Sequence, residues 1–256
     1  MENNKLNVSE MFYSIQGEGK TMGIPSVFLR LQACNLLCNW KKDGIDHYCD
    51  TVEVWKKGKP ISFEDIIHGW NMEGWLEKLL IKGAHLIITG GEPMLQQKAI
   101  AKFCEDLRNL TKNKIFIEIE TNGTIKPSIE LEYQIDLFNT SPKLSNSTMQ
   151  LNKRYKEEVL QWHVRNNENK GKTIDGRTSE SIFKFVVNNI IDLNEIENDF
   201  VNKFNISPNR VWLMPEGANR EELNEKRQMV AEMCKQNGYN FSDRLQVVIW
   251  DRVTGV

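Results

Sequence analysis

Apolar, β-rich runs alternate with segments of helical period along most of this chain, and that alternation restricts the fold more than any other feature. The runs are Ser26–Gln32, His85–Thr89, Ile115–Glu120, Ile135–Asn139, Ile182–Val187, Val211–Met214 and Leu245–Trp250, and most stop at Gly, Pro, Ser, Thr or Asn. Ser62, with Asp65 three residues on, reads as an N-cap for helices that run in two pieces towards Lys82 with an interruption near Asn71. Further helices fit Leu95–Thr111, Asn152–Asn166, Asp192–Phe204 and Arg220–Asn237, the last closed by Gly238. Strands separated by helices predict an α/β fold of parallel strands joined by right-handed crossovers, in an open doubly wound sheet or a full or partial β/α barrel. Both architectures bind ligands at the carboxyl ends of their strands.

The residues just beyond each strand signal are therefore informative. They are Ala33–Cys38, then Gly90-Gly91-Glu92-Pro93, Thr121-Asn122-Gly123-Thr124, Thr140-Ser141-Pro142-Lys143 and Pro215-Glu216-Gly217. Polar and glycine-rich chemistry thus gathers on one rim. The polar stretch Arg165–Glu180 reads as an exposed loop, and with no repeat or linker to divide it the chain, residues 1–256, is expected to form one domain. A net charge of −2, with 33 basic and 35 acidic residues interspersed, supplies no field for a phosphate backbone, so nucleic acid is not an expected partner. No apolar run has the length of a membrane span and the N-terminus lacks a secretory core, which predicts a cytoplasmic protein.

Three of the five cysteines crowd together: three residues separate Cys34 from Cys38, and ten separate Cys38 from Cys49. In a reducing compartment such a cluster points to metal rather than to disulfides. An iron–sulfur cluster held by three protein thiolates, with one iron open to a small-molecule ligand, ranks first. A zinc site completed by His47 ranks second, and three buried thiols third. Cys104 and Cys234 fall in helical patterns and read as small buried groups; His68, His85 and His163 have no spaced partners and read as packing or surface residues. The glycines of Ser14-Ile15-Gln16-Gly17-Glu18-Gly19 permit a loop folded over the rim, and those of Gly90-Gly91 a close backbone approach to a ligand. Arg30 and Lys184 each interrupt an apolar strand, where a carboxylate or an anionic ligand would make inward burial tolerable.

The cysteine triad followed by Gly-Gly-Glu-Pro resembles the radical S-adenosylmethionine superfamily. Within it, Tyr13–Gly19, Phe28–Leu36, Cys49-Asp50-Thr51, Glu120–Thr124, Ser141-Pro142-Lys143 and the closing Leu245–Trp250 run resemble the 7-carboxy-7-deazaguanine synthase family, over Phe12–Val256. One departure stands out: most members place two residues between the second and third cysteine. If Asn39–His47 is an inserted loop turning at Asp43-Gly44, Tyr48-Cys49-Asp50-Thr51 keeps the family's ending.

The resemblance implies a partial β/α barrel with a 4Fe-4S cluster on Cys34, Cys38 and Cys49, S-adenosylmethionine on its open iron, and Mg2+ at Thr51. It implies ring contraction of 6-carboxy-5,6,7,8-tetrahydropterin to 7-carboxy-7-deazaguanine with loss of ammonia, in queuosine-type 7-deazapurine biosynthesis. Ile15, Gln16, Gly17, Arg30 and Thr89 would hold the pterin, with Glu18 as a further contact and Arg30 facing the substrate carboxylate. Tyr48, Asp50, Gly91, Ser141, Pro142 and Lys143 would line the S-adenosylmethionine side. A homodimer served by an outside electron donor such as flavodoxin is implied as well. The rival readings are an activating enzyme for a glycyl-radical partner, which need not carry the Gln-Gly-Glu-Gly loop, and a non-enzymatic zinc-binding module.

Overall fold

The computed structural model describes residues 4–42, 45–49, 52–112, 114–166, 179–253 and 255. Its strands are β1 (Lys5–Ile15), β2 (Pro25–Leu31), β3 (Asn39–Lys42), β4 (Ile45–Tyr48), β5 (Lys59–Ser62), β6 (His85–Gly90), β7 (Ile117–Thr121), β8 (Leu137–Thr140), β9 (Glu180–Val187), β10 (Val211–Pro215) and β11 (Asn240–Phe241). Nine of them form one open sheet in the order β11-β10-β9-β8-β7-β6-β2-β1-β5, and β3 pairs with β4 as a separate hairpin. From β2 to β11 every pairing in the large sheet is parallel, whereas β1 runs antiparallel to both β2 and β5. This open sheet fits an incomplete β/α barrel, one of the architectures that the alternation left open and the one that the resemblance implies.

The two-residue period of each strand sorts its side chains between the faces. Val27, Leu29, Leu31, Leu86, Ile88, Ile117, Ile119 and Phe138 face outward into a core with Phe63, Ile66, Trp70, Ile100, Phe103 and Leu107 from the covering helices. A second cluster joins Phe183, Phe185, Val211 and Leu213 to Leu193, Ile196, Phe200, Val230 and Met233. At about 1.5–3 kcal/mol per fully buried large apolar side chain, this packing is the main force holding helices to sheet. The alternate positions, including Phe28, Arg30, Thr89, Glu118, Glu120, Asn139 and Lys184, share the inner face.

Local signals account for the helix boundaries. The Ser62 hydroxyl accepts from the Asp65 amide at 3.1 Å, and the helix it opens, Phe63–Met72, is followed by a second piece, Trp75–Ile81. Asn219 caps Arg220–Asn237, which ends at Gly238 with φ 70°, a left-handed conformation that glycine adopts without penalty. The expected helix over 152–166 divides into Leu151–Arg154 and Glu157–Asn166. That over 192–204 starts earlier, capped by Asn189, and contains a π-helical stretch at Ile196–Val201. Of the expected loop over 165–180, residues 167–178 lie outside the described residues, while its two ends belong to a helix and to β9.

One assignment is overturned. Leu245–Trp250 is a helix and not a closing strand. The sheet ends instead at the two-residue β11, and the Leu245 amide donates to the Gly17 carbonyl at 2.9 Å, so this apolar run packs on a loop rather than along a sheet edge. The sequence signals also pass over β1, in which Leu6 and Val8 pack into the core while Lys5 and Asn7, alternating with them, are exposed.

Candidate active site

The cysteine loop leaves β2 at the carboxyl rim and is fastened there by backbone contacts. The Glu92 amide donates to the Ala33 carbonyl at 2.9 Å, and the Ala33 amide donates to the Trp55 carbonyl at 3.1 Å. A Cβ on Gly90 would lie 2.2 Å from the Leu31 oxygen, and one on Gly91 2.2 Å from the Ala33 oxygen. The Gly-Gly pair therefore makes room for the cysteine loop's own backbone, a different use of the close approach from the ligand contact expected from the sequence.

Glu92 is buried beneath this junction. Its carboxylate accepts from the Met94 amide at 3.0 Å, the Thr121 hydroxyl at 2.8 Å and the Asn122 amide at 2.7 Å. Burial pushes its carboxyl above the ordinary range, while these donors and the Lys143 charge act in the opposite direction. The loop is also tied sideways: the Asn122 amide group donates to the Asn35 side-chain oxygen at 2.9 Å, and Asn35 donates to the Thr124 hydroxyl at 2.8 Å. Sequence reasoning placed Thr121–Thr124 on the rim without giving these residues a role; the polar turn after an apolar strand was the available signal.

The residues between Cys38 and Cys49 form the β3–β4 hairpin, with Asn39 opposite Tyr48 and Lys42 opposite Ile45. The Cys49 amide closes its base by donating to the Cys38 carbonyl at 3.0 Å. Positions 43 and 44, the expected turn, lie outside the described residues, as do Asp50 and Thr51 and the side chain of Tyr48.

All three cysteines are partly exposed. The Leu36 amide donates to Cys34 Sγ at 3.4 Å. Burial pushes the Cys34 thiol up to about 11, and Glu92, Cys38 and Cys49 add to this through their negative charge. These thiols thus share one electrostatic neighbourhood that a cationic centre would relieve, and the donor set suits an iron–sulfur cluster. Among the described residues, no three His, Cys, Asp or Glu side chains already stand as a closed metal-binding group.

On the inner face the charges are connected. Arg30 Nε donates to Glu10 at 2.6 Å, so the strand arginine meets a carboxylate within the chain. Thr89 donates to Glu120 at 2.6 Å, and the Gln16 amide group spans Glu120 at 3.2 Å and Glu118 at 3.3 Å. Glu118 also accepts from Thr21 at 2.5 Å and Asn139 at 2.9 Å. Burial, reinforced by the Glu120 charge, pushes the Glu118 carboxyl up to about 7. Lys184 faces inward onto Glu18, which also accepts from Arg244 at 3.1 Å and Gln246 at 2.9 Å. The alternation of Glu118 and Glu120 with Ile117 and Ile119 was the sequence signal for this carboxylate pair.

The Gln16–Gly19 loop does not fold over the carboxyl rim. Because β1 is antiparallel, Ile15 lies opposite Pro25, at the amino end of β2, and the loop enters the inner face from that side to reach Glu118, Asn139 and Lys184. A cavity of about 380 Å³ lined by Lys20, Thr21, His85, Phe116 and Leu137 also opens at the amino ends, away from the cysteines. On the rim, the Ser141 amide donates to the Thr121 carbonyl at 2.7 Å and Lys143 Nζ to the Ser141 hydroxyl at 3.2 Å. Pro142 is buried between them. His163 is a core residue shared by Thr140 and Ser181, with burial pushing its imidazole down to about 3. Cys104 is buried in a helix, its thiol pushed up to about 12.

An incomplete parallel barrel with a three-cysteine loop at its carboxyl rim and a polar inner face is the architecture of a radical S-adenosylmethionine enzyme. No protein-family model matches the chain. It is 30% identical to 7-carboxy-7-deazaguanine synthase of Pyrobaculum aerophilum over 98% of this chain and 97% of that one. It is 32% identical to the synthase of Halobacterium salinarum over 96% and 91% of the two chains, and 32% identical to that of Rhodopirellula baltica over 94% and 85%. The crystal structure of QueE from Escherichia coli shares the fold, with a TM-score of 0.65 and 21% identity over 93% of each chain. The chain belongs to the 7-carboxy-7-deazaguanine synthase family. This membership sets aside the glycyl-radical activating enzyme and the zinc-binding module. Among the described residues, no helix is long and apolar enough to cross a membrane.

Proposed function

We propose that the chain catalyses the ring contraction of 6-carboxy-5,6,7,8-tetrahydropterin to 7-carboxy-7-deazaguanine and ammonia, in 7-deazapurine biosynthesis. The observation that carries this reading is the Cys38–Cys49 closure, which keeps a three-thiolate loop together in a chain whose relatives bear the synthase name. Cys34, Cys38 and Cys49 hold a 4Fe-4S cluster. With S-adenosylmethionine bound beside it, that cluster would supply the radical chemistry of the reaction.

The protein's own residues position the reactants and exclude water. Arg30, on the inner face, offers its guanidinium to the substrate carboxylate in competition with Glu10. Ile15, Gln16, Gly17 and Thr89 hold the pterin, with Gln16 and Thr89 themselves oriented by Glu118 and Glu120. Gly91, Ser141, Pro142 and Lys143, with Tyr48 and Asp50, line the S-adenosylmethionine side, and Thr51 supplies a hydroxyl to Mg2+. The enzyme works as a single-domain homodimer in the cytoplasm with an external reductant of the flavodoxin kind.

Anaerobic reconstitution with iron and sulfide, followed by turnover of the carboxypterin and mass spectrometry of the products, tests the proposal. The expected result is 7-carboxy-7-deazaguanine formed only when S-adenosylmethionine and a reductant are both present. Consumption of S-adenosylmethionine with no deazapurine, at saturating carboxypterin, would overturn it.

A further inference from the structure

The Glu18 carboxylate is surrounded by three donors from two distant parts of the chain. Its one oxygen takes Arg244 Nε at 3.1 Å and Gln246 Nε2 at 2.9 Å, and its other takes the Lys184 ammonium of β9. A carboxylate has about four acceptor positions, so most of its capacity is already used. Burial acts to raise this carboxyl, and the Lys184 and Arg244 charges outweigh it, holding Glu18 well below the usual carboxylate range.

The surrounding backbone makes the same connection. The Leu245 amide donates to the Gly17 carbonyl at 2.9 Å, and the Gly19 amide donates to the Ser242 hydroxyl at 2.8 Å. A Cβ on Gly17 would lie 1.7 Å from Gln246 Oε1. Arg244 is braced in turn by the Gly217 carbonyl at 2.7 Å, beyond the end of β10.

We propose that Glu18 is the hub of a latch rather than a substrate ligand, and that Arg244 and Gln246 are positioning residues that hold the Gln16–Gly19 loop on the inner face. Residues 242–246 thereby set where Gln16 meets the Glu118–Glu120 pair. The role of the loop in holding the pterin rests on the function proposed above; the latch itself rests on the contacts alone.

Amide hydrogen exchange and steady-state kinetics on the reconstituted enzyme test this together. In Arg244→Ala and Gln246→Ala, the Gly19 and Leu245 amides are expected to exchange faster in concert while those of β6 and β7 stay protected. KM for the carboxypterin should rise about tenfold, the equivalent of one lost hydrogen bond to a charged group, with a smaller fall in kcat. Arg244→Lys should recover part of the KM. Glu18→Gln separates the alternatives: a raised KM with wild-type exchange at Gly19 and Leu245 would make Glu18 a direct ligand and overturn the latch. Faster exchange confined to residues 242–250, or an unchanged KM in both alanine variants, would also overturn it. Wild-type enzyme that leaves the carboxypterin unconverted refutes the function, and the exchange pattern then decides the latch alone.

Discussion

The backbone N–H of Cys49 donates to the backbone carbonyl of Cys38 at 3.0 Å, although ten residues separate the two cysteines. The intervening β3–β4 hairpin cancels its own length, because antiparallel pairing returns the chain to its starting point. The lengthened loop therefore returns its third cysteine to the side of the second.

This geometry predicts different outcomes for paired and single deletions. Removing Lys42 and Ile45 together, which face each other, shortens the hairpin without moving its base and should preserve iron binding. Removing Lys42 alone slips the register by one residue and should lose the cluster. Cys34→Ala, Cys38→Ala and Cys49→Ala should each abolish the brown chromophore, whereas Cys104→Ala and Cys234→Ala, in buried helical positions, should retain it. Iron and sulfide analysis after anaerobic reconstitution checks every one of these variants.

Arg30→Lys is expected to weaken carboxypterin binding by roughly ten- to a hundredfold, the span of about 1.5–3 kcal/mol for a charge-assisted hydrogen bond. Lysine keeps the charge and can still pair with Glu10 on the inner face, yet it lacks the planar fork that grips a carboxylate. Equilibrium binding under anaerobic conditions measures this, and an affinity equal to wild type would remove Arg30 from the substrate site.

Glu118 makes stability depend on pH. Its carboxyl is raised from 4.5 to about 7 in the folded protein, so between those values the native state holds a proton that the unfolded chain has lost. Its contribution is therefore most favourable at low pH and declines as pH rises through 7. Glu118→Gln removes the titration, and its unfolding free energy relative to wild type should improve between pH 5 and pH 8 by up to about 3 kcal/mol. Denaturant titrations of the two proteins at both pH values supply the comparison; a constant difference would contradict the burial-driven shift.

Two glycines separate close packing from simple chain flexibility. Gly91→Ala would drive a methyl group to 2.2 Å from the Ala33 carbonyl and should displace the cysteine loop, lowering both the melting temperature and the iron content. Gly69→Ala, within the Phe63–Met72 helix and with nothing near the new methyl, should be neutral or stabilising by up to about 1 kcal/mol. Thermal melts rank them directly.

Thr51→Val tests the proposed Mg2+ contact. After chelation under conditions that spare the cluster, wild type should recover its rate on adding Mg2+, whereas the valine variant should stay slow, since it has no hydroxyl to offer the ion. Full activity of Thr51→Val with a normal Mg2+ response would place the metal elsewhere.

The sequence by itself determined the order of the parallel elements, the outward core and the rim chemistry. These come from local information: a two-residue period in strands such as Ile117–Thr121, a side-chain cap at Ser62, a glycine stop at Gly238, and cysteines a few residues apart. Only the tertiary structure decided the rest, because it depends on contacts between residues far apart in the chain. Leu245–Trp250 carries strand-forming residues yet becomes a helix, in a setting where its own Gln246 and the preceding Arg244 bind Glu18 more than 220 residues away. The Gln16–Gly19 loop enters from the amino ends because β1 runs antiparallel, a choice of pairing partner that hydrophobic periodicity does not encode. Glycines at 90 and 91 signalled close approach, but that the approaching group is the Ala33 backbone emerges only when two segments some sixty residues apart are laid against each other.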